Sequence, residues 1–140
     1  MMLVRTYLAP SAIEGLGVFT REPIRKGDLV WRFDTRFDRV IPVEDVAAAP
    51  AHMQEFMERY AYPLPSDPER FVVLDVDEGR FMNHADEPNC EFPPDGETGW
   101  AARDIAAGEE LTCHYACFTL GAIRFQPSRH EVGQHRHAAE

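Results

Sequence analysis

The chain has 140 residues and carries 24 acidic side chains against 14 Lys and Arg, a net charge of −10. That length suits one domain able to bury a core without metal or disulfides, and the acidic balance disfavours direct nucleic-acid binding while favouring a lysine-rich protein segment as partner. With 44% hydrophobic residues, no apolar run near the roughly 18 residues of a membrane span and no signal-peptide pattern at the start, a disordered chain is excluded and a cytoplasmic protein without a membrane partner is expected.

Taken in chain order, residues 3–8 read as a first strand, residues 11–17 as a small-residue loop, and Val18-Phe19-Thr20 as a second strand. Gly15 and Gly17 lack a Cβ, so backbone there can approach a ligand closely. Residues 24–31 predict a turn feeding a strand. Residues 43–60 place Val46, Ala49, Met53, Phe56, Met57 and Tyr60 at three-and-four spacing, which predicts one long amphipathic helix packed on the core. Pro63, Pro65 and Pro68 stop it. Val72, Val73, Leu74 and Val76 suit a buried strand, and Gly79 a tight turn.

Residues 80–90 hold the densest set of directional polar groups: Asn83, His84 and Asn89, with a bend at Pro88. They read either as a site or as turn residues whose side chains bond nearby backbone. Residues 93–99 form a further turn, leading to a strand over residues 100–103. Residues 105–112 then repeat the I-x-x-G-[DE] pattern of residues 24–28, two units suited to a fold of small, repeatedly turning sheets.

Cys90, Cys113 and Cys117 form no disulfide framework, which fits a reducing compartment. Beyond Phe118 the pattern decays into a polar tail with His130, His135 and His137. A small metal-binding protein using Cys113, His114, Cys117 and these histidines is one reading, but the spacing fits no closed zinc pattern and no metal is expected.

Three segments, in order, carry a resemblance: Gly15-Leu16-Gly17-Val18-Phe19; Arg80-Phe81-Met82-Asn83-His84 with Pro88-Asn89; and Gly108-Glu109-Glu110-Leu111-Thr112 followed by Tyr115. Together they resemble the SET-domain protein lysine methyltransferases. The resemblance implies a SET domain over residues 1–120, with residues 121–140 a partly flexible C-terminal extension. The implied fold is mainly β, with several short sheets, one main helix and a knot-like C-terminal crossing that brings the second and third motifs together.

The implied function is S-adenosylmethionine-dependent transfer of a methyl group to the ε-amine of lysine in a basic protein. By similarity, Gly15, Leu16, Gly17, Arg80, Phe81, Asn83 and His84 bind the cofactor and Tyr115 is catalytic. Cys113, Phe118 and either Tyr62 or Tyr60 are expected to line the substrate channel. Such a displacement needs a neutral, desolvated amine in line with the methyl carbon, and a phenol can orient it. Lysine has an unperturbed pKa of about 10.4, so it must first lose a proton, and no dedicated base is evident in the sequence.

The chain departs from the family at several positions. Ala85 and Asp86 stand where Ser-Cys is frequent, and Cys117 alone follows Tyr115, so the family's structural zinc is not expected. Cys113 replaces a frequent aromatic, which widens the channel, and His114 replaces a frequent Asp. Phe118, Phe125, the tail or a second subunit in a homodimer would close the channel. The alternative function is a catalytically degenerate SET module that binds peptide or cofactor as an interaction protein.

Overall fold

The computed structural model describes residues 1–118, with side chains through residue 116. The side chain of Phe118, the domain boundary at residue 120, and Phe125, His130, His135 and His137 therefore lie outside the described residues. In chain order the strands are β1 (Thr6–Pro10), β2 (Leu16–Thr20), β3 (Leu29–Arg32), β4 (Arg39–Pro42), β5 (Ala61–Pro63), β6 (Phe71–Leu74), β7 (Asn83–His84), β8 (Cys90–Glu91), β9 (Thr98–Ala101) and β10 (Glu110–Cys113). They form three sheets, ordered β1-β2-β10-β7, β3-β9-β8 and β4-β6-β5.

The first sheet positions the site. β10 pairs antiparallel with β2 through Leu111 and Val18, and parallel with β7 through Thr112 opposite Asn83 and Cys113 opposite His84. β10 thus enters between two earlier strands, and the second and third motifs become neighbours. Val18 and Leu111 are fully buried where β2 and β10 meet, each contributing about 1.5–3 kcal/mol relative to an exposed side chain.

The two repeated turns face each other. Ile24 and Ile105 exchange both backbone hydrogen bonds, at 2.9 and 2.8 Å, and both side chains are buried. Gly27 and Gly108 sit at φ +87° and +84°, a backbone region that side chains with a Cβ disfavour. The repeat in sequence is a pair in space.

Residues 43–60 do not form one helix. The chain makes α1 (Val43–Ala47) and α2 (Ala51–Tyr60), separated at Pro50, because proline supplies no N–H and pushes the residue before it out of helical geometry. Gln54 bridges the break, donating to the carbonyls of Ala47 and Ala49. Met53 is 41% exposed rather than in the core, and Met57 is the buried residue of α2. Val76 likewise departs from expectation, 54% exposed beyond the end of β6. The first strand begins at Thr6 rather than residue 3, since Met2 bridges to Trp31 instead.

Gly79 lies in a 3-10 turn, Glu78–Phe81. Its φ is not positive; space makes glycine necessary there, since a Cβ would lie 2.8 Å from Asp75 Oδ2 and 3.3 Å from Trp31 Nε1.

Candidate active site

Asn83 joins the three sequence motifs. Its side-chain Nδ2 donates to the carbonyls of Glu14 and Leu16, both at 3.1 Å, and to Glu110 Oε1 at 2.9 Å. Ser11 Oγ donates to the same carboxylate at 2.9 Å. Gly17 leaves the room for it, because a Cβ at that position would come within 2.2 Å of Glu110 Oε1. Asn89 secures β10 in a similar way: its Nδ2 donates to the Glu110 carbonyl and its Oδ1 accepts from the Thr112 N–H. Its amide does satisfy backbone, but backbone of a strand far along the chain.

His84 and Met82 position Tyr115. The Tyr115 N–H donates to His84 Nδ1 at 3.1 Å, and the Tyr115 hydroxyl donates to the Met82 carbonyl at 2.9 Å. Burial, with lesser contributions from Cys113 and Glu14, raises the Tyr115 pKa well above that of a free phenol. At neutral pH the phenol therefore stays protonated.

Two cavities meet at this tyrosine. The larger, about 400 Å³, has Gly15, Leu16, Arg80, Phe81, Asn83 and Tyr115 in its wall, a size suited to a small-molecule ligand. Arg59 and Tyr60 reach it from α2, and Arg59 Nη2 lies 3.7 Å from Glu14 Oε1. The smaller, about 80 Å³, is walled by Trp31, Tyr62, Asp75, Phe92, Cys113 and Tyr115. It is a narrow aromatic chamber, with Trp31 and Phe92 centroids 5.5 Å apart and Trp31 and Tyr62 edge-on at 6.2 Å.

The SET domain family model matches residues 15–116. This chain belongs to the SET domain family. Histone-lysine N-methyltransferases described as H3 lysine-36 specific, from Mus musculus and Homo sapiens, are each 34% identical to it over 115 residues. The alignment covers 76% of this chain and 4% of either relative, so the chain spans a small part of those proteins. Among solved structures, a humanized mutant of the Chaetomium thermophilum Polycomb Repressive Complex 2 bound to an inhibitor superposes at a TM-score of 0.60 with 22% identity, covering 84% of this chain and 16% of that one. A Plasmodium falciparum protein described as a candidate histone methyltransferase gives 0.58 and 21%, covering 81% and 95%. These likenesses show the fold: mainly β, with short sheets and few helices.

Within the SET domain, Gly15, Leu16, Arg80, Phe81 and Asn83 share the larger cavity, while Tyr62 and Cys113 wall the smaller one. Gly17 and His84 do not line the larger cavity; Gly17 accommodates Glu110, and His84 holds the Tyr115 backbone. Asp86, at the position of the family's frequent Cys, lies 3.2 Å from His84 Nε2. Together with His114, these two bring nitrogen and carboxylate atoms within 4.8 Å of one another.

Sequence reasoning passed over Asp75, Trp31, Arg59 and Met82. The only trace of Asp75 was an acidic residue interrupting the apolar run Val72-Val73-Leu74-Asp75-Val76. Met82 acts through its carbonyl, which carries no sequence signal at all.

Proposed function

We propose that this chain is an S-adenosylmethionine-dependent protein-lysine methyltransferase. The observation that carries the reading is that Tyr115 lines both cavities, the ligand-sized one and the aromatic chamber, as a transfer between a donor on one side and an amine on the other requires. The larger cavity fits an amino-acid-containing cofactor. Arg80 lines it with its Nε buried and, among the described residues, without a hydrogen-bond partner, a donor suited to a carboxylate, while Tyr60 and Phe81, 5.2 Å apart, supply aromatic surface for a base. When bound, the cofactor supplies an electrophilic methyl group on a sulfonium.

The residues do the rest. Tyr115, held by His84 and Met82, presents its phenol oxygen to the amine, and Trp31, Tyr62 and Phe92 exclude water around the aliphatic chain. Cys113 leaves the chamber wider than an aromatic would. The net charge of −10 draws a basic protein segment towards the surface; histones, substrates of the curated relatives, are of that class.

The test is transfer of labelled methyl from the cofactor to core histones and to lysates of basic proteins, with the modified residue mapped by mass spectrometry. Transfer abolished by Tyr115→Phe is the expected result. Cofactor binding by calorimetry with no transfer to any substrate would replace this reading with that of a binding module.

A further inference from the structure

Asp75 is 5% exposed, yet among the described residues no Lys, Arg or His side chain pairs with it. Its hydrogen bonds come from neutral donors, Trp31 Nε1 to Oδ2 at 3.0 Å and the Tyr62 hydroxyl to Oδ1 at 3.5 Å. Carboxylates are almost never this buried unless a cation or a metal meets them. The nearby cations are committed elsewhere: Arg59 to Glu14, and the amino group of Met1 to Asp38 at 3.1 Å. Arg80 stacks its guanidinium over Phe81.

The carboxylate belongs to the wall of the aromatic chamber, together with Tyr115. Rings of Trp31, Tyr62 and Phe92 around a carboxylate make a site for an alkylammonium ion, through charge pairing and cation–π attraction. Gly79 leaves the carboxylate its room, since a Cβ there would lie 2.8 Å from Asp75 Oδ2.

We propose that Asp75 is the counter-ion of the substrate lysine, receiving the ε-ammonium inside the aromatic chamber and accepting one of its protons. This rests on the methyltransferase reading for the identity of the amine. The step balances: the ammonium N–H bond breaks, its electron pair stays on nitrogen, and the carboxylate becomes a carboxylic acid that later releases the proton to solvent. The amine is thereby neutral beside Tyr115.

Burial raises the Asp75 pKa to about 7, which suits a group that takes and returns a proton near neutrality. The groups facing it are Asp38 and Asp77, which reinforce the rise, the Met1 amino group and the Trp31 indole, which oppose it, and Tyr62, Arg59 and Arg80 in the same chamber.

The experiment titrates n-butylammonium into protein carrying Trp100→Phe, which leaves Trp31 as the single tryptophan and its fluorescence as the readout. Saturable binding is expected, strengthening severalfold between pH 5.5 and 8 and weakened at least tenfold by Asp75→Asn, which keeps an acceptor for Trp31. Neutral n-butanol should bind at least tenfold more weakly. Absence of binding, equal binding by butanol, or affinity indifferent to both pH and Asp75→Asn overturns the proposal. Should the Asn variant not fold, the pH dependence and the butanol comparison decide alone. If butylammonium binding depends on Asp75 but no methyl reaches any basic protein, the methyltransferase reading falls and the ammonium site stands. If methyl transfer proceeds and Asp75→Asn leaves its pH–rate profile unchanged, the reading stands and this inference falls.

Discussion

The Tyr115 N–H rests on Nδ1 of His84 at 3.1 Å, and the other nitrogen of that ring lies 3.2 Å from Asp86. With Nδ1 accepting, Nε2 carries the proton and points it at the carboxylate. The imidazole is thereby oriented, and through it the backbone that carries the phenol. Replacing His84 with Ala should shift Tyr115 without removing it. Small misplacements of a reacting group can lower rates by about 10²-fold, so methyl transfer should fall by that order while cofactor affinity, measured by calorimetry, changes far less.

Tyr115→Phe removes the hydroxyl that donates to the Met82 carbonyl. Loss of one preorganised dipole at a reacting centre reduces turnover by about 10²–10³-fold. Thermal melting should shift little, because the ring and its contacts remain. Turnover within tenfold of wild type would remove Tyr115 from the chemistry.

Gly17 and Glu110 are sterically coupled. A methyl group at position 17 would overlap the carboxylate that binds Asn83 and Ser11, so Gly17→Ala should destabilise by about 1–3 kcal/mol through overpacking. Glu110→Ala also destabilises, but it vacates the space. In a double-mutant cycle by denaturant unfolding, the pair should lose less than the sum of the single changes.

Asp75 makes stability depend on pH with a definite sign. Its folded-state pKa, raised by burial to about 7 from 3.8, means that protonation favours the folded state. The contribution is complete below about pH 4 and is lost as pH rises through about 7. Asp75→Asn should therefore compare least well with wild type near pH 4 and progressively better towards pH 8. Melting temperatures of both proteins across that range check it; a difference that runs the other way would show that Asp75 is held as a stabilised carboxylate.

The Gly15, Asn83 and Tyr115 motifs were readable in the sequence through their joint resemblance to the SET family, since the local chemistry of residues 80–90 alone fits turn residues equally well. Punctuation by glycine and proline also marked segments near β1, β2, β3, β6, β9 and β10 but not β4, whereas β5, β7 and β8 are too short to carry a period of their own. Pro50 also carried its signal in the sequence, yet the three-and-four spacing on either side of it masked the break into α1 and α2.

What the sequence determined by itself was the family and the mainly β character. Tertiary structure alone decided that Asn83 spends its amide on Glu14, Leu16 and Glu110, that Asn89 grips β10, and that Asp75 shares a chamber with Tyr115. The reason is physical. Periodicity and turn chemistry act between near neighbours in the chain, whereas a buried carboxylate acquires its character from side chains that only packing brings to it.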